Sequence, residues 1–255
     1  MRYGGDTSAV QVVGDDGTWL LLDAGSGLLH VTPLVPVEIE RIDILLTHLH
    51  MDHIQGLGFF YPLRDAGVET HIWGPASAVR SLTRRLNRYL SPPLFPVHLR
   101  DLRSLQIHDI ASDRFTIGGF EITSDLIAHP GPTLGYRIEE NGKSLAYLPD
   151  HEPALSGREF PFDSRWTSGF DLMAGVDVVI HDAQYTEAEY AQRVGWGHAT
   201  VEHARMLAMQ AGVGELVTFH HDPEHTDDDI DRMLAAVDSG PLRVTPGQAG
   251  LELSL

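Results

Sequence analysis

Cysteine is absent from this chain of 255 residues, so disulfide bonds are excluded and any bound metal must be held by His, Asp or Glu. No apolar run is long enough to cross a bilayer, and no membrane contact is expected. The first residues also lack the basic and then apolar pattern of a secretory signal. Together these absences favour a cytoplasmic protein.

Basic residues are scarce, since 18 Lys and Arg stand against 36 Asp and Glu, for a formal net charge of −18 with histidine neutral. A surface this acidic repels polyanions, so long nucleic acids are not expected as partners. A small anionic substrate stays open, because bound cations dominate the electrostatic field inside a cleft. Many of the 15 histidines lie beside Asp, Gly or Pro, which favours loops that build a site.

The pattern of apolar residues predicts an α/β fold. Strands are predicted over 9–13, 18–23, 42–46, 69–73, 176–180, 216–219 and 250–253, with strand-like patterning from 105 to 147 and a hairpin at Asn141-Gly142. Helices are predicted over 55–66, 77–90, 187–193, 200–211 and 227–237. Strands in both halves with helices between them indicate two sheets covered by helices. No linker or repeat divides the chain, so we predict a single domain over residues 1–255.

A cluster of histidines directly follows the buried strand predicted over 42–46. It reads His48-x-His50-x-Asp52-His53. Neutral imidazole and carboxylate are ligands that Zn²⁺, Mn²⁺ and Fe²⁺ accept. Two histidines at i and i+2 can converge on one cation, and the Asp and His that follow can then point at a second. The spacing therefore predicts a site for two metal ions.

This cluster resembles the signature of the metallo-β-lactamase superfamily, and nearly the whole chain can be laid on the pattern of that family. The resemblance implies an αββα sandwich, with two mixed sheets flanked by helices. It also implies a lone His, an Asp and a last His, each after a strand. The residues that match in this order are His129, Asp150 and His220.

The resemblance implies the ligand sets as well. One metal would be held by His48, His50 and His129, the other by Asp52, His53 and His220, with Asp150 as the bridging carboxylate. His221 is the alternative to His220 as the last ligand. The expected cofactors are two divalent ions, Zn²⁺ first and Mn²⁺ as the alternative. A homodimer is expected from the family resemblance alone.

Two further motifs resemble the tRNase Z branch of the superfamily. The segment Asp177-Val178-Val179-Ile180-His181-Asp182-Ala183 and the segment Gly197-His198-Ala199-Thr200 are similar to its paired His-Glu-Ala-Thr and His-Ser-Thr motifs. In that branch the acidic residue orients the histidine, and the histidine protonates the leaving oxygen. The chain departs from the pattern with Asp182 in place of Glu and Ala199 in place of Ser.

The substrate expected within this branch is a small phosphodiester. The tRNA nucleases carry a basic, Gly-rich arm between the lone His and the bridging Asp, whereas here Asp150 follows His129 by only 21 positions, enough for a hairpin. The opening Tyr3-Gly4-Gly5-Asp6-Thr7-Ser8 and the segment 53–60 look like bacterial cyclic-phosphodiesterase-type members. We therefore predict hydrolysis of a cyclic nucleotide or cyclic phosphate.

The mechanism implied by the resemblance is two-metal hydrolysis. In such a mechanism a metal-bridging hydroxide would attack phosphorus, because metal binding lowers the pKa of water to about 7. Asp52 or Asp150 orients this nucleophile, and His198, held by Asp182, protonates the departing ribose oxygen. The predicted catalytic residues are therefore Asp52, Asp182 and His198.

Three other functions stay open. The same scaffold hydrolyses lactones, thioesters or β-lactams in other branches, which do not need the pair formed by Asp182 and His198. A tRNA 3′-processing endonuclease is the second alternative. The third is a regulatory protein that binds metal without turnover. Function is carried by a site and not by a fold, and the presence of every expected ligand argues against this alternative.

Overall fold

Strands alternate with short helices along both halves of the chain. The computed structural model describes residues 2–155, 166–237 and 240–255. The chain divides into two units. The N-terminal unit is Asp6–Phe120, and the C-terminal unit is Met1–Gly5 together with Glu121–Leu255. Each unit has its own mixed sheet and its own apolar core. The prediction of a single domain stays a prediction.

The sheet of the N-terminal unit runs in the order β1-β2-β3-β4-β5. Only the first pair, β1 and β2, is antiparallel, and the other pairs are parallel. The elements of this unit are β1 (Val10–Val13), β2 (Trp19–Leu22), α1 (Leu28–Val31), β3 (Arg41–Leu45), β4 (Glu69–Pro75), α2 (Leu82–Leu86), β5 (Leu105–Ile110) and β6 (Asp113–Ile117). Parallel pairs need crossover connections, and these carry the two helices and several 3-10 turns.

The strands of the C-terminal unit lie in the order β12-β11-β10-β9-β8-β7. The pairs at the β7 end are antiparallel, and those from β9 to β12 are parallel. The elements are β7 (Phe120–Leu126), β8 (Leu134–Glu140), β9 (Lys143–Leu148), α3 (Phe170–Met173), β10 (Val178–Asp182), α4 (Glu187–Arg193), α5 (Val201–Ala211), β11 (Glu215–Phe219), α6 (Asp227–Ala235) and β12 (Arg243–Pro246).

Apolar side chains of each unit cover one sheet. In the N-terminal unit, Ile42, Ile44 and Ile72 of the sheet pack with Leu82 and Leu86 of α2. All five side chains are fully buried, and burial of each stabilises the fold by about 1.5–3 kcal/mol. The core of the C-terminal unit is formed in the same way by residues of β9–β11, α3 and α5. These cores fix where the ends of the parallel strands lie.

The hairpin predicted at Asn141-Gly142 is confirmed. It joins β8 to β9 with Glu140 paired to Lys143. Asn141 and Gly142 both have positive φ, at 50° and 78°, which a two-residue turn of type I′ requires. The described chain between His129 and Asp150 is thus this hairpin and its flanks.

Three predicted elements differ from the structure. The helix predicted over 55–66 is two 3-10 segments, Gln55–Gly58 and Tyr61–Arg64, because its backbone is drawn into tertiary bonds such as that from Gly56 N to Ala24 O. The helix predicted over 77–90 is helical only over Leu82–Leu86, since the Ser81 side chain caps its start.

The last predicted strand, 250–253, is wrong. The final strand is β12, at Arg243–Pro246. Leu242 is buried and Val244 packs on the core of the C-terminal unit, whereas Leu253 is exposed. The apolar residues at the end of the sequence therefore bury too little surface to hold a strand. Over the three described ranges, no helix has both the length and the apolar character that a bilayer crossing requires.

Candidate active site

In the N-terminal unit, the predicted site residues follow β3, and Asp23, which was not among them, follows the neighbouring parallel strand β2. Leu22 of β2 pairs with Leu45 of β3, so the chain leaves both strands at the same edge of the sheet. Asp23 follows β2 directly, with a positive φ of 59°. Such a left-handed conformation is uncommon outside glycine, and Asp is among the residues that tolerate it. The conformation turns the Asp23 side chain towards the segment that follows β3.

Asp23 is a buried carboxylate that orients the histidine cluster. Its Oδ1 accepts a hydrogen bond of 2.7 Å from Thr47 N. Its Oδ2 accepts one of 2.8 Å from Nδ1 of His53, and both side chains are fully buried. This bond puts the ring proton of His53 on Nδ1 and leaves the lone pair on Nε2, which lies 3.4 Å from Oδ2 of Asp52. An imidazole held in this way is oriented as a metal ligand.

The histidines of the cluster lie side by side. The ring of His48 lies 4.3 Å from that of His50 and 4.2 Å from that of His53, measured between centroids. The segment 48–53 can pack closely against the turn at Gly25 because Gly25 has no side chain. A Cβ there would lie 2.2 Å from the carbonyl oxygen of Asp52. The N-terminal unit thus places the imidazoles of His48, His50 and His53 next to one another, with the carboxylate of Asp52 beside His53.

In the C-terminal unit, the predicted residues again follow neighbouring parallel strands. Leu148 of β9 and Thr218 of β11 both pair with His181 of β10. Asp150 and His220 each lie two residues beyond these paired positions, and Asp182 ends β10. The carboxyl ends of parallel strands share one edge of a sheet, which is where open α/β sheets bind ligands.

Asp150 lies between two imidazoles. Nε2 of His129 is 3.7 Å from its Oδ2, and Nε2 of His220 is 3.4 Å from its Oδ1. Asp150, His198 and His220 also offer ligand atoms that lie within 4.8 Å of one another. His220 has a positive φ of 57°, and this conformation directs its ring towards Asp150. By contrast, His221 donates from Nε2 to the carbonyl of Gly247, at 3.2 Å.

Asp182 and His198 form a close pair. Oδ2 of Asp182 accepts a hydrogen bond of 2.7 Å from Nδ1 of His198. The other oxygen accepts bonds of 3.1 Å from the backbone amides of Gln184 and Ala199. Burial lowers the pKa of His198, but the charge and hydrogen bond of Asp182 outweigh this effect, so its pKa is raised above the ordinary value. The shorter Asp therefore reaches the histidine although the family pattern has Glu.

A second layer of buried histidines supports this pair. His151 donates its backbone amide to Asp182 Oδ2 at 3.2 Å, and its Nδ1 lies 2.9 Å from Nε2 of His181. Burial lowers the pKa of both imidazoles, so both are neutral at physiological pH. No motif of the sequence predicted a role for His151 or Asp23. The signal for Asp23 was its position as a carboxylate at the end of the predicted strand 18–23, two residues before Gly25.

The donor sets of both units suit a divalent cation. Imidazole nitrogen and carboxylate oxygen are the ligands that Zn²⁺ takes when cysteine is absent. Asp150 is a buried carboxylate with imidazole nitrogens of His129 and His220 within 4 Å, and such a group is expected where a cation supplies balancing charge. The residues present therefore fit the metal chemistry that the histidine cluster predicts.

Comparison with known proteins agrees with this chemistry. A family model described as a beta-lactamase superfamily domain matches residues 18–221. A ribonuclease Z of Deinococcus radiodurans is 28% identical over 317 aligned residues, which cover 90% of this chain and 91% of the relative.

Two solved structures have a similar fold. The metallo-beta-lactamase fold protein YhfI from Bacillus subtilis has a TM-score of 0.70 at 21% identity, covering 98% of this chain and 95% of its own. A diphosphatase from the PhnP family has a TM-score of 0.66 at 19% identity, covering 97% of this chain and 83% of its own. The fold predicted from the sequence, with two mixed sheets flanked by helices, is confirmed. This chain belongs to the metallo-β-lactamase superfamily and is a metal-dependent hydrolase of that superfamily.

Proposed function

We propose that this protein is a phosphodiesterase that works with two divalent metal ions on small phosphodiesters, with cyclic nucleotides and cyclic phosphates as the first candidates. The observation that carries the proposal is the 2.7 Å bond between Asp182 and His198, close to Asp150 and His220. Cleavage of an unactivated phosphodiester needs an acid for its poor leaving group, whereas acyl transfer on this scaffold does not need this pair.

His198 is suited to this role by its surroundings. Nδ1 of His198 is held by Asp182, so Nε2 is the nitrogen that can transfer a proton. Its ring stacks on that of His220, with centroids 5.0 Å apart and planes at 14°. The carboxylate of Asp182 at Nδ1 favours the doubly protonated imidazole, because an adjacent negative charge stabilises the cation. The group can therefore act as a general acid.

The reaction consumes one water molecule and needs protons to move at two oxygens. The oxygen of water forms the new bond to phosphorus and loses a proton to the solvent. The bond from phosphorus to the departing ribose oxygen breaks, His198 gives its proton to that oxygen, and His198 is then reprotonated from the solvent. We assign Asp52 the orientation of the attacking water. Bound divalent ions supply Lewis-acid chemistry, because they stabilise negative charge on phosphoryl oxygens and lower the pKa of water.

The metal ligands belong to the same proposal. In the N-terminal unit they are His48, His50, Asp52 and His53, and in the C-terminal unit they are His129, Asp150 and His220. Zn²⁺ is the first candidate and Mn²⁺ the second, because both accept imidazole and carboxylate. The homodimer and the cytoplasmic location stay predictions from the sequence.

Processing of tRNA 3′ ends is the second candidate, and the curated relatives named as ribonucleases favour it. Two observations argue for the smaller substrate. The described chain between His129 and Asp150 is taken up by a hairpin with a two-residue turn, so that part of the chain offers no arm to hold tRNA. The net charge of −18 also repels long RNA.

A panel of substrates tests the proposal. Protein loaded with Zn²⁺ or Mn²⁺ is assayed on bis(p-nitrophenyl) phosphate, on 2′,3′- and 3′,5′-cyclic nucleotides, and on a precursor tRNA with a 3′ trailer. The expected result is turnover of the aryl ester and of at least one cyclic nucleotide. Cleavage of the precursor tRNA alone would replace the proposal with tRNA processing. If the protein binds two metals but cleaves no phosphodiester, the result would favour hydrolysis of a lactone, thioester or β-lactam. It would equally favour a regulatory role without turnover.

A further inference from the structure

Glu152 is a buried carboxylate that neither the metal chemistry nor the acid chemistry uses. It is 1% exposed. Its Oε1 accepts hydrogen bonds from the Tyr190 hydroxyl at 2.9 Å and from Gly195 N at 2.8 Å. Its Oε2 accepts one of 2.7 Å from Gly197 N. A carboxylate is costly to bury, so a side chain bonded in this way is expected to hold something in place.

The segment that Glu152 holds is the loop 194–197, which leads from α4 to His198. Gly195 and Gly197 both have left-handed φ values, 89° and 96°. Two amides of this loop point at one carboxylate, which acts as an acceptor for both. The loop therefore takes its conformation from Glu152.

The same loop contacts His129. The carbonyl of Gly197 accepts a hydrogen bond of 2.8 Å from Nδ1 of His129. The approach is so close that a Cβ on Gly197 would lie 2.3 Å from that nitrogen. This bond keeps the proton of the neutral His129 ring on Nδ1 and the lone pair on Nε2, the atom 3.7 Å from Asp150.

The hydrogen bonds of Glu152, Gly197 and His129 form a closed circuit. The backbone amide of Glu152 donates to the carbonyl of Ala128, at 2.8 Å, and Ala128 is the residue before His129. One residue thus fixes the backbone beside His129 and, through the loop, the acceptor of its ring proton. On one side of His198, the amide of Gly197 donates to Glu152. On the other side, the amide of Ala199 donates to Asp182, so hydrogen bonds fix the backbone on both sides of His198.

We infer that Glu152 is a positioning residue. Through the loop 194–197 it sets the tautomer of His129 and the orientation of His198, while it contacts neither metal nor substrate. Outer residues of this kind typically contribute 10–100-fold to metal affinity or activity. The part of the inference that concerns leaving-group protonation rests on the proposed function, but the part that concerns the His129 tautomer does not.

The test is the variant Glu152→Gln, which keeps the size of the side chain but offers one acceptor oxygen in place of two. One loop amide then faces an NH₂ group and loses its bond. The matched control is Asp177→Asn, because Asp177 also accepts bonds from a backbone amide and a hydroxyl, both of Ser144. Glu152→Asp, which keeps the charge but shortens the reach, is made as a second variant in case Glu152→Gln does not fold.

The first readout uses metal-free protein and needs no activity. Long-range ¹H–¹⁵N spectra of the histidine rings report the tautomer, and His129→Gln identifies the His129 signals. We expect the wild type and Asp177→Asn to show the Nδ1–H form and the Glu152 variants to show a mixture. The second readout is turnover, where we expect about a 10–100-fold loss on a cyclic nucleotide and a smaller loss on bis(p-nitrophenyl) phosphate.

An unchanged His129 tautomer in both Glu152 variants would overturn the inference, even if their melting temperatures fall, because a merely structural carboxylate would lower stability without moving the proton. Equal losses of turnover on the two substrates would overturn the assigned influence on His198. Wild-type protein that cleaves no phosphodiester would remove the proposed function, and the tautomer experiment would still decide the role of Glu152.

Discussion

Asp182 holds His198 by a 2.7 Å hydrogen bond from Nδ1 to a carboxylate oxygen that is itself fully buried. The oxygens of Asp182 also accept bonds from three backbone amides, those of His151, Gln184 and Ala199. The carboxylate therefore cannot turn away without leaving buried donors unsatisfied. Because its orientation is fixed by the backbone, the position of the imidazole is fixed as well.

The variant His198→Ala separates acid catalysis from metal binding. We expect a loss of about 10²–10⁴-fold on a cyclic nucleotide and a much smaller loss on bis(p-nitrophenyl) phosphate, whose leaving group needs no proton. Metal content, measured by mass spectrometry, should stay at the wild-type value, because His198 is outside the proposed ligand set. Equal losses on the two substrates, or loss of metal, would contradict the role of general acid.

The variant Asp23→Asn tests the orientation of His53. An amide can present its NH₂ group to Nδ1 and no longer selects the Nδ1–H tautomer, so Zn²⁺ affinity should fall about 10–100-fold. The control is Asp43→Asn, since Asp43 is equally buried and bonded to Arg41 and Trp73 in the same unit. Competition with a chelating dye measures the affinity of each. A similar loss in both variants would show that burial alone, and not contact with His53, explains the effect.

Two alanine variants in one loop separate backbone strain from steric contact with His129. Gly195→Ala introduces a left-handed alanine where nothing lies within 4 Å, so the free energy of unfolding should fall by about 1–2 kcal/mol. Gly197→Ala adds a Cβ 2.3 Å from His129 Nδ1, which should cost about 1–3 kcal/mol more. Urea unfolding measures both. Only Gly197→Ala should also weaken Zn²⁺ binding, and equal effects of the two variants would contradict the contact.

The start of α6 should lose stability in acid. Hydrogen bonds from the side chain and backbone of Thr226, together with the charge of Arg232, lower the pKa of Asp229 to about 2, from an ordinary value of 3.8. Because the folded pKa is the lower one, the stabilising effect is complete above the ordinary value and disappears as the pH falls towards 2.

The variant Asp229→Asn checks this dependence. The free energy of unfolding in urea should differ between wild type and variant at pH 7, and this difference should shrink steadily between pH 4 and pH 2. A difference that is the same at pH 7 and pH 2.5 would show that Asp229 contributes only as a hydrogen-bonding cap, since its charge would then have no part in the effect.

The predictions from sequence were good where the signal was local. The helix over 187–193 agrees with α4 because Thr186 and Glu189 form a capping box that the sequence contains in full. The hairpin at Asn141-Gly142 agrees because few residues other than Asn and Gly adopt positive φ. The predictions failed at 55–66 and 250–253, where tertiary bonds and burial override the apolar pattern.

The sequence by itself determined the superfamily and the kinds of donor atom that a metal site in this protein can use. Because cysteine is absent, the side chains that can bind a metal are those with imidazole or carboxylate groups. The spacing of His48, His50, Asp52 and His53 indicated the superfamily that the comparisons confirm. Only the tertiary structure decided which side chains orient the others. Asp23 holds His53, Asp182 holds His198, and Glu152 holds the loop behind His129 across 45 positions of sequence. Such pairs depend on strand register and loop geometry, which no local pattern encodes.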